Sequence, residues 1–186
     1  KDFAGKVAVI TGAGSGFGRE FARIGASLGM RLVLADVQAD ALAAVVDELR
    51  ERGVEVIGER VDVSKGDQVE RLAQRTKEAF GKVHLLFNNA GVAAGGLVWE
   101  STEKDWQWTL GVNLWGVIHG VRCFVPMMLE QETEEVTVAD RDNDVQQAPV
   151  AVAPRFSARS RRFRGPPRVS SVTSETPSRT DEAVVV

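Results

Sequence analysis

The stretch Thr11-Gly12-Ala13-Gly14-Ser15-Gly16-Phe17-Gly18 constrains this chain more than any other. Before it runs Val7-Ala8-Val9-Ile10, an apolar run that fits a short buried strand. After it comes Arg19–Leu28, in which Phe21, Ala22, Ile24, Gly25 and Leu28 give a helix one apolar face. Strand, glycine turn and helix in that order form the setting in which a glycine cluster binds phosphate. A pyrophosphate reaches the backbone N–H groups at a helix start only where no side chain intervenes, and glycine removes the Cβ. The positive end of the helix dipole then favours the negative charge.

Downstream, strands and helices alternate. Arg31–Ala35 reads as a second strand ending at Asp36, and Gln38–Arg52 as a helix with Leu42, Val45, Val46 and Leu49 inward. A third strand region begins at Val54 and closes at Asp62, and Lys65–Phe80 reads as a helix. Lys82–Phe87 reads as the fourth strand. This alternation predicts an α/β fold, a doubly wound parallel sheet of Rossmann type. Glu103–Leu129 reads as one long helix, capped by Ser101 or Thr102 and kinked or ended by Pro126. Two units are expected: a nucleotide-binding domain over residues 1–131 and a tail of low order over 132–186.

The reason for that boundary is compositional. No Leu or Ile follows Leu129, five of the six prolines lie beyond it, and residues 155–168 carry six arginines and no acid. Such a stretch has too little aliphatic surface to offset the entropy of ordering. Its richness in Arg, Ala, Pro, Val and Ser suits translation of a GC-rich gene in a shifted reading frame. The single Cys123 excludes an internal disulfide and fits a reducing, cytoplasmic compartment; on an apolar helix it reads as a packed thiol. No apolar run of membrane-spanning length is apparent, so no membrane partner is expected. His84 and His119 have no metal-type partners at telling spacing, and no metal site is expected. The four tryptophans, Trp99, Trp106, Trp108 and Trp115, suit either a substrate pocket or core packing.

Five features occur in one order: the T-G-x-x-x-G-x-G spacing at Thr11–Gly18, Asp36, Asp62-Val63, Asn88-Asn89-Ala90-Gly91, and Asn113 within Val112–Val117. In that combination residues 3–131 resemble the short-chain dehydrogenase/reductase family. The resemblance implies hydride transfer between a nicotinamide cofactor and an alcohol or ketone. Gly12, Gly16 and Gly18 would form the pyrophosphate turn, lined by Ser15 and Phe17, with Thr11 bracing it. Asp36 would accept hydrogen bonds from the adenosine ribose and repel a 2′-phosphate, so NAD is expected over NADP. Asp62 and Val63 would contact adenine, and Asn89, Ala90 and Gly91 would pass beneath the ribose. Asn88 would tie neighbouring strands. Asn113 would be the active-site asparagine, and the helix 103–129 a surface for homo-oligomerisation.

The family's reaction also needs a serine and a Y-x-x-x-K pair. The sequence holds no tyrosine and no lysine after Lys104, and Ser170-Ser171 has no tyrosine behind it. The sheet is therefore expected to stop after the fourth strand and the long helix, leaving that strand an exposed edge. The leading reading is an oxidoreductase-family NAD-binding protein that is catalytically impaired. The alternatives are a non-catalytic truncated product and, less favoured, a protein gripping nucleic acid or another anion through its arginine-rich tail.

Overall fold

The computed structural model describes residues 3–139 and 184–185. A parallel sheet is built from β1 (Val7–Thr11), β2 (Arg31–Asp36), β3 (Val56–Arg60) and β4 (Leu85–Phe87), joined by β5 (Val184–Val185), in the order β3-β2-β1-β4-β5. Between the strands run α1 (Gly16–Ser27), α2 (Ala39–Glu51) and α3 (Gly66–Phe80). After β4 come α4 (Glu103–Leu110), a π-helical turn (Gly111–Trp115) and α5 (Gly116–Ala139). This is the expected Rossmann-type architecture. Apart from the end of α5 and β5, the expected tail lies outside the described residues, as do the arginine-rich stretch and Ser170-Ser171.

Strand alternation divides the core into two layers. Ala8 and Ile10 of β1, with Leu32 and Leu34 of β2, face Ala22 of α1 and Leu42, Val45, Val46 and Leu49 of α2. Val7, Val9, Val33 and Ala35 face Val69, Leu72 and Ala73 of α3 and Phe124 and Met128 of α5. Each large aliphatic side chain so buried contributes about 1.5–3 kcal/mol. Gly29 (φ 74°) follows α1 and Gly53 (φ 77°) follows α2, each allowing the reversal into the next strand.

Four expectations change. The fourth strand is not an open edge: Leu85 and Leu86 of β4 pair in parallel with Val184 and Val185. The long helix is three segments, because the backbone widens into the π-turn at Gly111–Trp115, and it runs on to Ala139 rather than ending near Leu129. Pro126 removes one N–H from α5 without ending it, since buried Phe124 and Met128 on either side hold the helix to the sheet. Phe124 is fully buried, whereas Leu110, Leu114, Val117 and Val121 are exposed. Finally, Glu103–Gln131 is long and apolar enough to cross a membrane by length and composition, against the expectation that no run was. The packing of Phe124 and Met128 in the core accounts for part of that apolar character.

Candidate functional site

The C-terminal ends of β1, β2 and β3 open into a cleft of about 480 Å³. Its walls include Gly12, Ser15, Gly16, Phe17, Asp36, Asp62, Val63, Asn89, Ala90, Gly91 and Val92. Every candidate cofactor residue except Gly18 lines this one cleft, and Gly18 packs against two that do, Gly12 and Asn89. A Cβ on Gly18 would collide with the Gly12 carbonyl oxygen, and one on Gly12 would stand 2.9 Å from Ala90 Cα. Gly12 (φ 67°) and Gly16 (φ 52°) adopt the left-handed backbone that side chains disfavour. A Cβ on Gly16 would meet nothing within 4 Å, so on that side the turn faces open space.

The start of α1 suits an anion. Ser15 occupies the N-cap position without a side-chain cap, and no acidic residue sits in the first turn. The first N–H groups of the helix therefore keep their partial positive charge for a ligand. Phe17 is 77% exposed at the rim and stacks on Phe21, which stacks in turn on Phe87.

Thr11 holds the turn in place. Its hydroxyl donates to the Phe87 carbonyl at 3.2 Å and accepts from the Asn89 and Ala90 N–H groups, both at 3.1 Å. The Asn89 amide donates back to the Thr11 carbonyl at 2.9 Å. These bonds lock the β4 end to the glycine turn, and they engage the Thr11 hydroxyl as both donor and acceptor. Asn88 points instead toward α5, where a Cβ on Gly120 would run into its Oδ1. Its Nδ2 is buried with no partner among the described residues, so the expected strand tie is absent there.

Asp36 is buried at the end of β2. Its Oδ2 accepts from Gly14 N–H at 2.8 Å and its Oδ1 from Gln38 N–H at 2.9 Å. A carboxylate has about four lone-pair sites, so acceptor capacity remains on the cleft side. Asp62 Oδ1 accepts from the Ser64 N–H and hydroxyl, which orients the carboxylate at the cleft beside Val63.

Asn113 sits in the π-turn with both side-chain groups committed to one residue. Its Oδ1 accepts from Val92 N–H and its Nδ2 donates to the Val92 carbonyl, each at 2.8 Å. This side chain clamps the loop after Gly91 rather than reaching into open space. His84 Nδ1 accepts from Val7 N–H at 3.0 Å, so this ring is a strand bridge. His119 Nδ1 lies 2.9 Å from the Val63 carbonyl, to which it can only donate. Cys123 packs against the core, and burial together with Glu70 pushes its thiol above the usual range, which disfavours a nucleophilic thiolate. No metal-holding group of three or more His, Cys, Asp and Glu occurs among the described residues.

Two cleft neighbours escape sequence reasoning. Arg60, at the end of β3, is paired with Asp36 in strand register and donates through Nε to the Val37 carbonyl at 3.1 Å. Only the parallel pairing of β2 with β3 reveals that this cation reaches the Asp36 loop. Trp108 of α4 lines the cleft with Val112, one turn further on; sequence alone offers no means of telling it from the other three tryptophans.

A family model described as short chain dehydrogenase matches residues 6–139. A CLA biosynthesis dehydrogenase/reductase of Lactiplantibacillus plantarum is 37% identical over 133 residues, covering 72% of this chain and 46% of the relative. A short-chain dehydrogenase/reductase of Burkholderia phymatum, solved in complex with NAD, is 68% identical with a TM-score of 0.69, over 70% of this chain and 47% of that one. An alcohol dehydrogenase of Thermococcus sibiricus complexed with 5-hydroxy-NADP is 37% identical with a TM-score of 0.64, over 66% of this chain and 53% of the other. The chain thus spans about half the length of the relatives it matches. By its sequence, its fold and the arrangement of its cleft, the chain belongs to the short-chain dehydrogenase/reductase family.

Proposed function

We propose that this chain binds NAD in the cleft above β1–β3, and that its family activity, hydride transfer between NAD and an alcohol or carbonyl, is impaired in the chain as it stands. One observation carries the binding reading: a glycine turn that admits no Cβ at Gly12 or Gly18, facing an uncapped helix start. That cradle fits a pyrophosphate. Gly12, Gly16 and Gly18 would let it approach, with Ser15 and Phe17 at the rim. Asp62 and Val63 would take the adenine, and Asn89, Ala90 and Gly91 the ribose on the far side. When bound, NAD supplies the hydride acceptor.

The preference for NAD rests on Asp36. Its carboxylate has capacity for ribose hydroxyls, and its charge opposes a 2′-phosphate. Arg60 supplies the counterweight, because its guanidinium reaches the Val37 backbone on the same loop. Discrimination between NAD and NADP is then a contest between these two side chains. The Burkholderia phymatum neighbour in complex with NAD supports a nicotinamide cofactor, and the Thermococcus sibiricus neighbour carries an NADP derivative.

The impairment follows from proton chemistry. Alcohol oxidation needs a group to take the hydroxyl proton, and a neighbouring cation to tune it. The sequence offers no tyrosine, and no lysine beyond Lys104. Asn113 is positioned by Val92 and cannot replace either. The test is to incubate the chain with NAD and a panel of secondary alcohols, following reduced nicotinamide by absorbance and NAD binding by calorimetry. Binding without turnover is expected. Sustained NADH formation would contradict the impairment, and absence of binding would contradict the cofactor assignment.

A further inference from the structure

The indole of Trp108 is 51% exposed and is the largest side chain among the walls of the cleft. Its placement within that cleft is fixed by its neighbours along the chain. Trp108 and Val112 lie four residues apart and both face the cleft. Between them, Gly111 packs against Ser64, where a Cβ would stand 3.4 Å from the Ser64 Cβ. One turn on, Gly116 packs so closely on Val63 that a Cβ would come within 2.7 Å of its side chain. The end of α4 and the π-turn are thus seated over Asp62-Val63-Ser64, while Asn113 of the same turn ties it to Val92. The other tryptophans lie elsewhere: Trp115 faces His119, and neither Trp99 nor Trp106 lines the cleft.

From this juxtaposition we propose that Trp108 is the aromatic wall of the adenine subsite, a binding residue that gives affinity for the adenosine half of the dinucleotide. The inference rests on the cofactor reading above and names a contact outside the glycine turn and the acidic strand ends. An indole lining the same cleft as Val63 would offer an adenine ring a second apolar face, and base–aromatic contact tolerates any purine orientation that keeps the faces together.

The test measures the affinity of the 186-residue chain for NAD and for AMP, by calorimetry and by tryptophan fluorescence. Trp108→Ala is expected to weaken NAD and AMP alike, by about tenfold. Trp108→Phe is expected to keep both affinities within about threefold, since a ring remains, while the fluorescence change on adding AMP disappears. Trp106→Ala, on the same helix outside the cleft, is expected to change neither. The proposal is overturned if Trp108→Ala leaves AMP binding unchanged, if only NAD is weakened, or if Trp108→Phe keeps the full fluorescence response. Should the Ala variant fail to fold, the Phe variant still decides the matter. An unaltered chain that binds neither NAD nor AMP overturns the cofactor reading, and this inference with it.

Discussion

Asp36 and Gly18 are proposed to act through opposite properties, Asp36 by the carboxylate it presents and Gly18 by the side chain it leaves out. Removing the Asp36 carboxylate in Asp36→Ala is expected to weaken NAD by about tenfold, the loss of a charge-assisted hydrogen bond, and to improve NADP relative to NAD. Arg60→Ala is expected to act in the reverse sense, weakening NADP while leaving NAD nearly unchanged. Competitive titration of the two nucleotides against each variant reads both. Gly18→Ala drives a methyl into the Gly12 carbonyl and should cost about 1–3 kcal/mol of stability as well as nucleotide binding, measurable by urea unfolding. The glycines and Asp36 were legible in the sequence because their chemistry is local: spacing along one turn and the end of one strand. Arg60 and Trp108 were not. Each is proposed to act through a neighbour that only the strand pairing or the helix seating brings near.

At the scale of elements, the α4–π-turn–α5 run shows where periodicity misleads. Its apolar spacing suggests a single helix, yet the backbone opens at Gly111–Trp115 and thereby sets Asn113 against Val92. No propensity marks that turn. Its purpose is visible only from the loop it clamps. The start of α4 was legible, since Thr102 and Asp105 form a capping box: the Thr102 hydroxyl accepts from Asp105 N–H and the Asp105 carboxylate accepts from Thr102 N–H. Thr102→Ala should cost about 1 kcal/mol, read from the shift in the thermal midpoint. The Thr102 hydroxyl and N–H hold the Asp105 carboxyl below the usual carboxylate range. A carboxyl lowered on folding stabilises the folded state above its unfolded pKa, and loses that contribution as pH falls through the lowered folded value. The stability difference between Thr102→Ala and the parent should therefore be full near neutrality and shrink below about pH 4. A difference that stays constant to lower pH would exclude the carboxylate's part in the cap.

The chain spans about half the length of the relatives it matches, and beside β4 its sheet carries a two-residue strand that the sequence did not announce. The family match ends at residue 139, and beyond Leu129 the composition turns from aliphatic to Arg- and Pro-rich. A shifted reading frame would give that change, and the gene's other two frames can be inspected for a Y-x-x-x-K stretch. Pairing of Val184-Val185 with β4 covers backbone groups that would otherwise template association with other chains. Deleting residues 184–186 should increase concentration-dependent aggregation, seen by light scattering, without loss of the N-terminal helical signal. The strand β5 was illegible in advance because two valines carry no register of their own; the strand they meet supplies it.

The cleft at the ends of β1–β3 is proposed to hold NAD in the 186-residue chain. Calorimetric titration of the 186-residue chain with NAD, and separately with NADP, addresses it most directly. Saturable binding at one site is expected, with NAD tighter than NADP by about tenfold or more. Absence of heat with either nucleotide would contradict the site itself, and tighter NADP would contradict the role given to Asp36.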